Sequence, residues 1–261
     1  MKKHLLIAIA VVLIGICTVA VIYRGPLIAF AADYGLLFDG TNDKASVTAV
    51  ANNYLGKNAG TIEFWFKSST GAAYQKFIKT DSSDVDIGMS QNFGGGARVF
   101  AEIGGAANIG EFDGGNYADG VCHAVAISWD GTNVRAYIDG TLKKTVAQSA
   151  SQNNTASVMY VGHSNGSETL NGTIDEIRFS DTARYTGASY TLPTTKFSTD
   201  GNTKILWHFD AGSGSSATDS SGSGNTLVLD ATNPPAWTTS TCGPLDPAAA
   251  VGPGTYFWGE Q

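Results

Sequence analysis

Between residues 32 and 200, apolar side chains recur at every second position, in short runs broken by turn residues. In TIEFWFKS, Ile62, Phe64 and Phe66 fall on one side, and Glu63, Trp65 and Lys67 on the other. That period of two is the signature of a strand with one face buried. HAVAISWDGTNVRAYIDGTLKKTV reads as a meander. Val125, Ile127 and Trp129 share a face, Asp130-Gly131 turns, Val134, Ala136 and Ile138 share the next face, and Asp139-Gly140 turns again. LLFDGTNDKASV gives two short strands around an Asp-Gly turn, and SVMYVGHS and TIDEIRFS are further strands. Residues 92–116 read as strands joined by glycine-rich loops. Residues 201–229 hold two more strands around a Gly/Ser-rich turn, with Ile205, Trp207 and Phe209 on one face. No amphipathic helix longer than a turn or two is predicted in this region, so the expected class is all-β, with two stacked antiparallel sheets.

The start of the chain has a different pattern. After Lys2 and Lys3, residues 5–23 carry no charge. A run of that length can just cross a hydrocarbon core as a helix, and it exceeds a usual signal-peptide apolar region. Ala29-Phe30-Ala31 fits a small-x-small cleavage site. The expectation is an N-terminal apolar helix over 1–31, either a signal peptide or a single membrane anchor, with the remainder exported to the cell surface or beyond. The sandwich is expected over 32–236, followed by an irregular Pro/Ala/Gly-rich tail over 237–261.

Composition narrows the function classes. The 261 residues include 32 glycines, and the formal net charge is −7. The first 31 residues hold three basic and no acidic side chains, leaving 13 basic and 23 acidic in the rest. A surface of that sign repels phosphate backbones, and no basic stripe interleaves with aromatics, so nucleic-acid binding is not expected.

Taken together, LLFDGTNDKASV, GTIEFWFKS, DGVCHAVAISWDGTNVRAYIDG, MYVGHS and LNGTIDEIRFSDTARY, in this order and spacing, resemble the laminin-G-like branch of the concanavalin A-like jelly rolls. The resemblance covers about residues 35–230. It implies a two-sheet jelly-roll sandwich, and it implies no single function, because this fold hosts lectins, adhesins, binding modules attached to enzymes and virion proteins. TKILWHFDAGSGSSATDSSGSGN also resembles a segment of these domains, but one that commonly precedes the Phe-Asp-Gly strand instead of following it. Residues 201–236 therefore either complete the sandwich or form a partial repeat. The family usually has Trp where this chain has Cys122.

Asp175 and Glu176 are the obvious catalytic candidates. Adjacent strand residues point to opposite faces, so the two cannot flank one glycosidic bond. If Ile177 and Phe179 face the core, Asp175 faces inward with them, and Glu176 and Arg178 face out. Jelly-roll glucanases place their carboxylates two residues apart on one strand, and here Thr173 and Ile177 occupy those positions. His4, His123, His163 and His208 have no metal-ligand spacing. Catalysis is not expected.

A buried Asp175 must be satisfied, either by backbone N–H groups or by a structural Ca²⁺ shared with Asp39 and Asp43 of the FDGTND turn, which the resemblance permits. The backbone solution is the simpler one. Trp65, Arg135 and Tyr137 lie opposite the apolar positions of their strands and are the candidate ligand residues; framework packing under a loop is the simpler alternative. Cys122 and Cys242 either form a disulfide pinning the tail to the sandwich or remain unpaired, with Cys122 filling a core site. Spacing alone cannot bring them together, and the unpaired reading is preferred. The chain is expected to be a non-catalytic extracellular module recognising a glycan or a cell-surface protein through a concave face or through the loops at 68–76, 92–118 and 163–170. The alternative is a structural surface-layer or virion component, with a glycoside hydrolase behind both.

Overall fold

The computed structural model describes residues 8–13, 16–21, 33–48, 58–71, 74–82, 84–90, 96–104, 107–151, 155–163, 168–239 and 242–244. The chain forms two units, Met1–Phe30 and Ala31–Gln261.

In the first unit, strand β1 (Ala8–Leu13) pairs antiparallel with β2 (Ile16–Val21), from Ala8 opposite Val21 to Leu13 opposite Ile16. This corrects the expected helix at these positions. The run is dense in Val, Ile and Thr, whose branched Cβ loses rotamer freedom in a helix and suits a strand. The cleavage site at Ala31 and the tail beyond Pro244 lie outside the described residues.

In the second unit, the predicted alternation builds sixteen strands. They are β3 (Gly35–Asp39), β4 (Ala45–Thr48), β5 (Gly60–Ser68), β6 (Gln75–Thr80), β7 (Val85–Met89), β8 (Val99–Ile103), β9 (Ala107–Glu111) and β10 (Cys122–Trp129), then β11 (Asn133–Ile138), β12 (Thr141–Ala147), β13 (Val158–Val161), β14 (Asn171–Ser180), β15 (Thr203–Trp207), β16 (Ser216–Ala217), β17 (Leu227–Leu229) and β18 (Ala236–Thr238). The first sheet runs β12-β11-β10-β5-β14-β3-β18, with β15 also on β14; the second runs β16-β17-β4-β13-β6-β7-β8-β9. Among the described residues there is no helix. Strands from 201–236 join both sheets, so this segment completes the sandwich. The first sheet continues past position 236 through β18.

The two sheets meet over a core that includes Ile62, Phe64 and Phe66 from β5, Val125, Ile127 and Trp129 from β10, and Phe77, Ile87 and Met159 from the second sheet. The Phe66 and Phe77 ring centroids lie 4.4 Å apart across the core. Full burial of such side chains contributes about 1.5–3 kcal/mol each.

Strand β14 carries an irregularity that resets this alternation. Its first half pairs with β3, Asn171 opposite Asp39 and Ile174 opposite Leu36; its second half pairs with β15, Ile177 opposite Trp207. Against β5, Asp175 stands opposite Trp65 and Arg178 opposite Glu63, so β14 uses one residue more than its neighbour. Glu176 is the bulged residue, with φ 52°. Consequently Ile174, Ile177 and Phe179 all face the core, whereas Asp175 and Arg178 point to the outer face. The inward Asp175 expected from strict alternation is thereby overturned: a bulge shifts every later side chain by one position.

Candidate functional site

A sandwich offers a ligand two outer faces, and here they differ. The outer face of the first sheet is covered over β10, β5 and the second half of β14, while Leu37 on β3 stays 42% exposed. Residues 181–200 cross it after β14, held where Arg184 N–H donates to Thr61 Oγ1 (2.9 Å), Leu142 N–H to Ala188 O (3.0 Å) and Tyr190 N–H to Gly140 O (2.8 Å). Beneath this cover Glu63, with 2% of its side chain exposed, receives Arg178 Nη2 at 2.7 Å and the Tyr185 hydroxyl at 2.6 Å.

Tyr137 lies under the same cover. It is fully buried, its hydroxyl donates to Gly187 O at 2.8 Å, and its ring meets Tyr185 and Tyr190 edge-on. Tyr137 therefore faces outward as its strand position dictates, yet it offers no stacking surface, which corrects its expected role. Arg135 Nη1 holds Asp130 Oδ2 at 2.6 Å and so locks the hairpin turn. Trp65 is half-buried. Its indole lies against Cys242–Gly243, where a Cβ on Gly243 would come within 3.5 Å of the ring. Trp65, Arg135 and Tyr137 are not brought together as a ligand site.

The tail reaches Trp65 through a disulfide between Cys122 and Cys242, whose Cα atoms lie 5.4 Å apart. Cys122 stands opposite Lys67 on the outer face of β10, not in the core. The proposed calcium ligands are also separated. Asp39 accepts Thr41 N–H at 2.7 Å and Asp43 accepts Asp39 N–H at 2.9 Å, so both organise one turn. Asp175 lies four residues along β14 from the partner of Asp39, a separation of about 13 Å in a strand. Among the described residues, no three His, Cys, Asp or Glu side chains are grouped to hold a metal ion.

The acidic pair occupies the seam where β14 changes partner from β3 to β15. Glu176 Oε1 lies 2.7 Å from His208 Nδ1, and Oε2 accepts Phe197 N–H at 3.0 Å. Burial raises the Glu176 carboxyl, while the hydrogen bond from His208 pulls it back down. His208 is held above its ordinary value by Glu176, against the effect of burial. Asp175 accepts the Glu176 and Cys242 N–H groups, and burial, followed by the charges of Glu176 and Asp33, pushes its carboxyl up to about 9. His208, Phe209, Asp210 and Trp237 line a cleft of about 270 Å³ beside the seam.

The outer face of the second sheet is the open one. Alternation along β6, β7, β8 and β13 brings Lys76, Lys79, Asp86, Gly88, Phe100, Glu102 and Tyr160 to it. Tyr74, 42% exposed, meets Phe100 edge-on at 6.3 Å. The Phe100 ring covers the Lys76 ammonium at 4.6 Å. Lys76 also lies 2.9 Å from Asp86 and 3.6 Å from Glu168, and Lys79 lies 2.9 Å from the same Asp86. Gly88 leaves the floor beside Phe100 flat: a methyl group there would stand 2.2 Å from Gln75 O and 3.0 Å from the ring. The result is an aromatic patch, one ring face and one ring edge at 75° to each other, set among charged hydrogen-bonding groups. The loops expected to carry binding contribute Tyr74, Phe100 and Glu168, but none of these was among the candidate residues. Phe100 was readable from the alternation in VFAEI; the pairing of Tyr74 with it was not, because the two are far apart in sequence.

The profile of the concanavalin A-like lectin/glucanases superfamily, in its laminin-G form, matches residues 39–187. The chain belongs to this family. No curated protein matches the sequence. Among solved structures, a candidate carbohydrate binding protein from Bacteroides ovatus is similar at TM-score 0.56 and 14% identity, over 79% of this chain; the present chain spans 62% of that protein. Domain 4 of an extracellular GH43 arabinanase from Geobacillus stearothermophilus, in complex with arabinotriose, is similar at TM-score 0.45 and 17% identity, over 57% of this chain and 71% of that one. Domains LG4-5 of the mouse laminin alpha1 chain are similar at TM-score 0.44 and 12% identity, over 64% and 48%. At these identities the likenesses concern the fold alone.

Proposed function

We propose that this protein is an exported, non-catalytic binding module that takes a glycan on the open face of its second sheet. The observation that carries this reading is the Tyr74–Phe100 patch beside Lys76, Asp86 and Glu168. A pyranose or furanose ring has an apolar C–H face and a rim of hydroxyls. Aromatic rings cover the first by dispersion, and charged side chains hydrogen-bond the second. The laminin-G family and the Bacteroides ovatus likeness are consistent with a binding module.

A non-catalytic role is supported by the state of the buried acids. Both Glu176 oxygens are engaged, by His208 and by Phe197 N–H, and Asp175 is enclosed by the tail. Neither is presented to a substrate. Export is supported by the Cys122–Cys242 disulfide, which persists in oxidising compartments, and by the uncharged N-terminal run.

The test is a glycan array probed with the full chain and with its Tyr74→Ala and Phe100→Ala variants. Binding by the parent that both variants lose supports the reading. An array with no binding, or binding that both variants retain, rejects it.

A further inference from the structure

Resting on that reading, we infer that the open face selects neutral glycans and rejects those carrying carboxylate or sulfate groups. Anionic sugars are held by charge-assisted hydrogen bonds from Arg or Lys, which are weakened where the cation is already engaged by a carboxylate. On this face every described cation already has such a partner. Lys76 and Lys79 flank the two oxygens of Asp86, Lys76 also meets Glu168, and Arg98 Nη1 holds Glu111 Oε2 at 2.7 Å. Lys76 has only 6% of its side chain exposed, covered by Phe100, so it cannot swing out to a new partner without giving up the ring.

By sequence, residues 69–74, 90–97 and 162–168 contain no Lys or Arg. His163, the one imidazole among them, is held below its ordinary value by burial and by the charge of Lys44, so it stays neutral at physiological pH. Glu168 and Glu111 each have 39% of their side chains exposed, and the only comparably exposed cation described on this face, Arg98 at 38%, is held by Glu111. An anionic sugar over Phe100 would therefore face carboxylates whose neighbouring cations, Lys76 and Arg98, are already paired with them. Hydroxyls, by contrast, can donate to Glu168 and Glu111 and accept from the remaining ammonium protons.

The experiment is an array of neutral oligosaccharides alongside their sialylated, uronate-containing and sulfated counterparts, probed with the full chain, Phe100→Ala and Glu168→Lys. The expected result is binding to neutral members, loss in Phe100→Ala, and anionic counterparts weaker by about tenfold or more, the scale of one like-charge contact. Glu168→Lys places a cation at the rim and should raise binding of the anionic counterparts by about tenfold. Anionic glycans bound as well as neutral ones, and lost in Phe100→Ala, would overturn this inference while leaving the glycan-binding face intact. No binding to any member would overturn both.

Discussion

Arg178 Nη2 lies 2.7 Å from Glu63 Oε1, and the pair is buried between the first sheet and the segment that crosses it. Arg178 Nε donates to the same oxygen at 2.8 Å, and the guanidinium stacks 4.2 Å over the Phe197 ring. Removing one partner strands a buried charge, which costs about 3–5 kcal/mol. Glu63→Ala is therefore expected to lower the unfolding free energy by that amount in urea titration. A loss below about 1 kcal/mol would show that residues 181–200 do not cover this part of the face.

The Cys122–Cys242 bridge spans 120 residues of sequence and holds the tail over Trp65 and Asp175. Closing a loop of that size restricts the unfolded chain, and removal of such a bridge costs about 2–5 kcal/mol. The double variant Cys122→Ser, Cys242→Ser should melt at lower temperature than the parent, and reduction of the parent should reproduce the shift. Two titratable thiols in the unreduced, denatured protein, beyond Cys17, would rule the bridge out.

The Asp175 carboxyl is pushed up to about 9 by burial and by the neighbouring Glu176 and Asp33 charges. In the unfolded chain an aspartate titrates near 4. Between those values the unfolded state has released this proton and the folded state retains it, so this group's contribution to stability falls as pH rises through that window. Asp175→Asn removes that dependence. Its melting temperature should gain on the parent steadily from pH 4 to pH 9, and parallel profiles for the two proteins would refute the assignment.

Gly88 allows the Phe100 ring to lie over the sheet. A Cβ at Gly88 would stand 2.2 Å from the backbone oxygen of Gln75, so Gly88→Ala forces β6 and β7 apart. Crowding of this kind typically costs about 1–3 kcal/mol. The variant should lose that much stability and also lose glycan binding, read by calorimetry and by the array. Retained binding would place the ligand elsewhere.

Strand alternation by itself determined a good deal. The spacing of Ile62, Phe64 and Phe66, of Val125, Ile127 and Trp129, and of Val134, Ala136 and Ile138 was enough to place all nine in the core between two sheets. That inference is local, because successive side chains on a strand must point to opposite faces. Tyr137 likewise faces outward as its position dictates. Only the tertiary structure decided that residues 181–200 bury it, since a cover is supplied by chain distant in sequence. The same limit applies at Asp175. Its direction depends on the left-handed backbone of Glu176, and that conformation is imposed where β14 exchanges β3 for β15, a change of partner that no periodicity within β14 encodes. The patch of Tyr74 and Phe100 belongs to the same class: each residue sits on its own element, and only the pairing of β6, β7 and β8 brings the two rings together.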